Sequence, residues 1–113
     1  MLSIDNLKTF GANTAEGLKR CVNKEDFYLR MVNSSLKGDQ MEQLAAAISD
    51  KNWEKAFETA HTLKGVFGNL ALTPLYDPMC QLTDQLRPKT ETDCTALLLQ
   101  CQSKWAELKK LAE

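Results

Sequence analysis

The residue best equipped for chemistry in this 113-residue chain is its only histidine, His61. It lies in Ala60-His61-Thr62-Leu63-Lys64-Gly65-Val66-Phe67-Gly68-Asn69-Leu70, where apolar residues recur at helical spacing. Side chains on a helix turn by about 100° per residue. With His61 at zero, Glu54, Phe57, Glu58, Lys64, Gly65 and Gly68 fall within roughly 60° of it. Ala56, Ala60, Leu63, Phe67 and Leu70 gather opposite, between roughly 180° and 260°. The imidazole therefore faces away from the core, with the compact cation of Lys64 three residues on and sharing its face. The competing role for Lys64 is a solvated lysine paired with nearby glutamates.

Two glycines interrupt this helix, and each costs roughly 1 kcal/mol relative to alanine. Bare backbone at Gly65 and Gly68 compensates if it lets a large partner approach the imidazole. The alternatives are close helix packing or an early helix end. Phe57, one turn before His61, either anchors that partner or tucks against a neighbouring helix, and Glu58 joins the same docking face. Asn69 reads as a buried hydrogen-bonding residue.

Other chemistries find too few residues. Glu58-Thr59-Ala60-His61 matches the Glu-x-x-His string of di-iron bundles, which needs two such strings and further carboxylates facing inward. One outward-facing histidine cannot supply that. The four cysteines, Cys21, Cys80, Cys94 and Cys101, form no Cys-x-x-Cys pair and read as small core hydrophobes. No Gly-rich phosphate loop is present, so the chain is not expected to bind ATP or phosphorylate itself.

The elements that must position His61 follow from periodicity. Ile4, Leu7 and Phe10 mark a short first helix ended by Gly11. Asn13 and Glu16 resemble a capping box for a second, with Leu18, Cys21 and Val22 inward. Asn23 caps a third, with a stripe of Phe27, Tyr28, Met31, Val32 and Leu36. Met41, Leu44, Ala45 and Ile48 mark a fourth, reaching about Ser49. The histidine helix spans about Lys51 to Leu70. Thr73 caps the next, with Pro74 at its first position. Pro78 predicts a kink or a start delayed to Asp77. Thr90 or Thr92 caps the last, carrying Cys94, Leu97, Leu98, Cys101, Trp105, Leu108 and Leu111.

Short connections between four longer helices predict an all-α fold. It is an antiparallel four-helix bundle with additional short N-terminal helices, a single domain over residues 1–113. The composition, 43% hydrophobic and 26% charged, is that of a soluble globular protein. With 14 basic and 15 acidic residues there is no electrostatic footprint for nucleic acid and no polybasic membrane segment. Nothing approaches the roughly 18 consecutive apolar residues of a membrane span, and Met1-Leu2-Ser3-Ile4-Asp5 lacks the regions of a secretory signal. A cytoplasmic location and a monomer without bound metal or nucleotide are expected.

His61, Leu63, Lys64 and Gly65 coincide position for position with the His-x-Leu-Lys-Gly core of the histidine-containing phosphotransfer (HPt) domain, and Asn69-Leu70 continues the likeness. The chain thus resembles that family, and its length suits one such domain. Three positions depart from the family pattern. Ala71 stands where Asn-Leu is often followed by glycine, Leu82-Thr83 where Leu-Glu is common, and Pro78 is unusual in its helix. The resemblance implies the N-terminal helices plus four-helix bundle reached independently above.

It further implies that His61 is a phosphoacceptor reacting through Nε2 and that Lys64 stabilises the phosphoryl group. Imidazole suits this work because an ordinary pKa near 6.5 leaves a neutral nucleophilic nitrogen at neutral pH. The implied partners are response-regulator receiver domains, and a hybrid histidine kinase. The receiver supplies the aspartate and the Mg²⁺, and this chain needs no cofactor of its own. The implied function is a phosphorelay intermediate, a phosphocarrier rather than a stand-alone enzyme. Two alternatives compete: a non-phosphorylated interaction module of HPt ancestry, and the phosphoacceptor domain of a larger histidine kinase. The opening methionine and the helical pattern running to Glu113 favour a free-standing protein over the last.

Overall fold

A computed structural model describes residues 1–113. They form seven α-helices and no strand: α1 (Ile4–Phe10), α2 (Thr14–Arg20), α3 (Glu25–Leu36), α4 (Gln40–Ser49), α5 (Trp53–Asn69), α6 (Thr73–Leu86) and α7 (Thr95–Leu111). Local chemistry explains several boundaries. Ser3 and Asn6 form a reciprocal capping box at α1, satisfying backbone donors that have no partner inside the helix. Gly11 closes α1 at φ 109°, a left-handed conformation that costs glycine little. Asn13 and Asn52 cap α2 and α5 by accepting from the backbone N–H groups of Glu16 and Lys55, each at 3.2 Å.

Helix α5 packs against both α4 and α6, and α6 packs against α7. One hydrophobic cluster draws on Met41 and Leu44 of α4, Ala60, Leu63 and Phe67 of α5, Leu75, Met79 and Leu82 of α6, and Cys101, Trp105 and Leu108 of α7. Phe67 meets Trp105 at 5.9 Å between ring centroids. Leu7 and Phe10 of α1 and Tyr28, Val32 and Leu36 of α3 extend the same cluster, so the N-terminal helices share the core. All four cysteines are free thiols. Burial pushes the Cys101 thiol up to about 11 and raises that of Cys94, keeping both protonated and packing as hydrophobes. No helix is long and apolar enough to cross a membrane.

Several boundaries and faces differ from expectation. Val22 is 69% exposed rather than inward, because Val22 and Asn23 both adopt left-handed φ, 52° and 59°, and turn the chain between α2 and α3. Asn23 is therefore not a cap. Helix α3 follows Lys24, which makes no side-chain capping bond. Phe27 and Met31 stand exposed, and the inward stripe of α3 narrows to Tyr28, Val32 and Leu36. Helix α5 begins at Trp53 because Lys51 is itself left-handed at φ 57°.

In α6 the cap is Leu72, not Thr73, so Thr73 and Pro74 occupy the first two helical positions. The helix runs unbroken through a buried Pro78, and its start is not delayed to Asp77. Neither Thr90 nor Thr92 opens α7. That helix begins at Thr95, whose N–H donates to the Asp93 carboxylate at 3.1 Å, and residues 87–94 form a loop.

The atypical residues are accommodated without orphaned polar groups. Ala71 takes φ 55°, the left-handed geometry for which glycine is better suited. Thr83 is fully buried, and its hydroxyl donates to the Met79 carbonyl at 2.7 Å.

Candidate functional site

Ala56, Ala60, Leu63 and Phe67 of α5 are buried, which turns the opposite face outward. His61 is exposed on that face, and the side-chain hydrogen bonds of α5, from the Lys55 N–H to Asn52 and from the Thr62 hydroxyl to the Glu58 carbonyl, do not involve its imidazole. Lys64 is half-buried beside it. The ion pairs of the chain join Arg20 to Glu16, Lys51 to Glu91, Arg87 to Asp84 and Lys104 to Glu107. Lys64 belongs to none of them, so its charge is free to meet an anion. Glu58 is exposed, and its backbone carbonyl accepts from the Thr62 hydroxyl at 3.1 Å.

Phe57 has a specific intramolecular environment. Its ring stacks on the His61 imidazole, with centroids 5.9 Å apart and planes 21° from parallel. The Arg87 guanidinium and the Lys89 ammonium each stand 5.4 Å from the Phe57 centroid. The electron-rich face of an aromatic ring attracts cations at such distances. Phe57 is half-buried and packs on the core, so it tucks within the chain. It forms a platform against the imidazole and gathers two positive charges from the loop that follows α6.

The two glycines separate cleanly. A Cβ placed on Gly65 would meet nothing within 4 Å, so the surface beside His61 is open there. A Cβ on Gly68 would lie 2.9 Å from Cε1 and 3.2 Å from Cδ1 of Tyr76. Gly68 has a packing reason of its own, since the Tyr76 ring of α6 lies against its bare backbone. Periodicity on α5 alone could not reveal this, because the residue that needs the space lies on another helix.

His61, Lys64, Gly65 and Gly68 border an open groove of about 420 Å³. Its other wall is α2, through Asn13, Glu16 and Arg20, and Tyr76 of α6 lines its end. Asn69 also lines it and is exposed, not buried as expected. Glu16 and Arg20 pair at 3.2 Å and are both about half exposed. Asn13, Glu16, Arg20 and Tyr76 carry no mark in the sequence as part of the site. For the first three the signal is faint, a polar face at a seven-residue helix remote in sequence from His61, and Tyr76 lies on the separate helix α6.

The face thus presents an unpaired lysine and a stacked, accessible imidazole over open backbone. Such an arrangement can bring a nucleophilic nitrogen to a bulky phosphorylated partner and neutralise charge there. No group of three or more His, Cys, Asp or Glu side chains is placed to hold a metal ion. Comparison with curated proteins and with solved structures gives no match. The family model of the Hpt domain matches residues 38–111, which contain all of α4 to α7 and therefore His61. The chain accordingly belongs to the Hpt domain family, the histidine phosphotransfer domains of two-component phosphorelays.

Proposed function

We propose that this protein is a cytoplasmic, monomeric phosphorelay intermediate. His61 accepts a phosphoryl group from the aspartyl phosphate of one receiver domain and passes it to the aspartate of another. The observation that carries this reading is the exposed imidazole with an unpaired Lys64 beside it, on a helix that lies wholly within the family-matched segment. In the forward step the lone pair of neutral Nε2 attacks phosphorus. A P–N bond forms as the P–O bond to the receiver aspartate breaks, and that electron pair leaves with the carboxylate. The Nδ1 proton stays on the ring, so no further reactant is consumed.

The chain's own part in this step is positional. Phe57 stacks on the ring, Lys64 faces the incoming anion, and Gly65 leaves room for in-line approach. The Mg²⁺ that neutralises phosphoryl charge arrives with the receiver, and this chain needs no cofactor of its own. A hybrid histidine kinase is the proposed source of the first receiver.

The test is incubation with a receiver domain carrying labelled aspartyl phosphate. Wild-type protein should acquire an acid-labile, base-stable label, as expected of a phosphoramidate. The His61→Gln variant should acquire none while keeping its helical content and melting temperature, because the side chain is exposed and its ring neighbour, Phe57, is itself only half-buried. Labelling of that variant, or its unfolding, would overturn the assignment.

A further inference from the structure

The family-matched segment begins at residue 38, yet one whole wall of the groove beside His61 comes from α2, outside it. That wall is fixed in place. The Asn13 N–H donates to the Ala71 carbonyl at 2.9 Å, tying the start of α2 to the turn after α5. The Tyr28 hydroxyl donates to the Leu70 carbonyl at 2.8 Å, and Tyr28 is fully buried. Gly17 lies directly against that ring: a Cβ there would come within 2.5 Å of Tyr28 Cζ. Gly11, just before α2, abuts Pro74 of α6 in the same manner, with 2.9 Å to Cγ. The start of α2 is therefore tied to the turn after α5, and the helix itself packs on α1 and α3. It presents Arg20 across the groove from Lys64.

We propose that Arg20 is a specificity-determining residue, receiving a carboxylate from the receiver loop that docks over His61. This inference rests on the reading of His61 as phosphoacceptor. The groove holds two cations, Arg20 and Lys64, and one anion, Glu16. It thus favours an acidic segment, and Glu16 acts as the placeholder that Arg20 exchanges for the partner's carboxylate. A guanidinium suits this exchange because its planar fork matches a carboxylate in two hydrogen bonds. The Arg20–Glu16 pair is exposed and four residues apart, so breaking it has little effect on folding. Since α2 lies outside the shared segment, its charge distinguishes among receivers without altering the reacting group.

The test separates failure of this inference from failure of the function. Phosphoramidate, a small phosphodonor with no docking surface, should load His61 to the same final extent, whatever its rate, in wild type, Arg20→Ala and Glu16→Gln. Transfer is then followed from a purified receiver domain, phosphorylated with acetyl phosphate, over a range of receiver concentrations. Arg20→Ala should raise the receiver concentration for half-maximal rate by roughly tenfold, the low end for a charge-assisted hydrogen bond. Its maximal rate should stay within about twofold, and the salt dependence should flatten as expected for a lost docking charge. Glu16→Gln should move the half-maximal concentration the other way, and Arg20→Lys should restore part of the loss. Equal half-maximal concentrations for wild type and Arg20→Ala, with His61 loaded normally by both donors, would overturn the role of Arg20 alone. Failure of wild-type His61 to accept from either donor would overturn the function and this inference with it.

Discussion

Alanine at Gly65 and alanine at Gly68 should move stability in opposite directions, although both sites lie in α5 and the substitution is the same. In a helix interior, alanine is more favourable than glycine by roughly 1 kcal/mol. At Gly65 nothing opposes the gain, since no heavy atom lies within 4 Å of the new Cβ. At about 2.1 cal/mol/K per residue, a chain of this length unfolds with an entropy near ~0.24 kcal/mol/K, so 1 kcal/mol raises the melting temperature by about 4 °C. At Gly68 the new methyl would press on the Tyr76 ring at 2.9 and 3.2 Å. Overpacking costs roughly 1–3 kcal/mol, which cancels the propensity gain and leaves a net loss of about 1 kcal/mol. In a Tyr76→Ala background the clash disappears, and Gly68→Ala should then stabilise, a coupling of about 2 kcal/mol. Thermal unfolding of the four variants and wild type measures all these quantities. Equal stabilisation by Gly65→Ala and Gly68→Ala in the wild-type background would refute the packing role of Gly68. The Gly65→Gln variant extends the argument to function: it should fold normally yet transfer slowly, because a misplacement of about 1 Å can cost a hundredfold in rate. Undiminished transfer would show that Gly65 is not the approach path.

Tyr28→Phe should destabilise by about 1–3 kcal/mol at neutral pH by leaving the Leu70 carbonyl without its donor. Burial pushes the Tyr28 phenol up to about 12 from 10.0. The phenol's contribution is therefore complete below pH 10 and declines between pH 10 and 12, where the unfolded chain ionises first. The stability gap between wild type and variant should narrow across that window, and a constant gap would count against the buried phenol. Ala71→Gly should stabilise by up to ~1 kcal/mol in chemical denaturation, since φ 55° strains alanine more than glycine; destabilisation would contradict the strain. Phe57→Leu should move the ring-proton resonances of His61 downfield by removing the stacked ring. Because the chain has one histidine, those signals need no assignment, and unchanged shifts would dismiss the platform.

Features written in local spacing were readable in advance. The outward phase of His61, the neighbouring Lys64 and the glycine stop of α1 all follow from the helical repeat and backbone preferences. Pairings between distant segments were not. Gly68 is explained by Tyr76, Gly17 by Tyr28 and the exposure of Asn69 by the groove under α2. Each depends on how helices cross, which the repeat of one helix does not encode. The turn between α2 and α3 departs from the helical repeat for a related reason. Val22 has the hydropathy of a core residue, but consecutive left-handed residues at Val22 and Asn23 rotate it into solvent. Similarly, Phe27 and Met31 widen the apparent stripe of α3, while the core accepts only the narrower one set by Tyr28, Val32 and Leu36.

The measurement closest to the central claim is a two-receiver relay. One receiver domain carries labelled aspartyl phosphate, a second of different mass starts unlabelled, and label on the second is followed with and without this protein. Substoichiometric wild-type protein should carry label to the second receiver through a base-stable intermediate on His61, and the His61→Gln variant should leave the second receiver unlabelled. Relay by that variant at the wild-type rate, or a wild-type chain that never becomes labelled, would contradict the account.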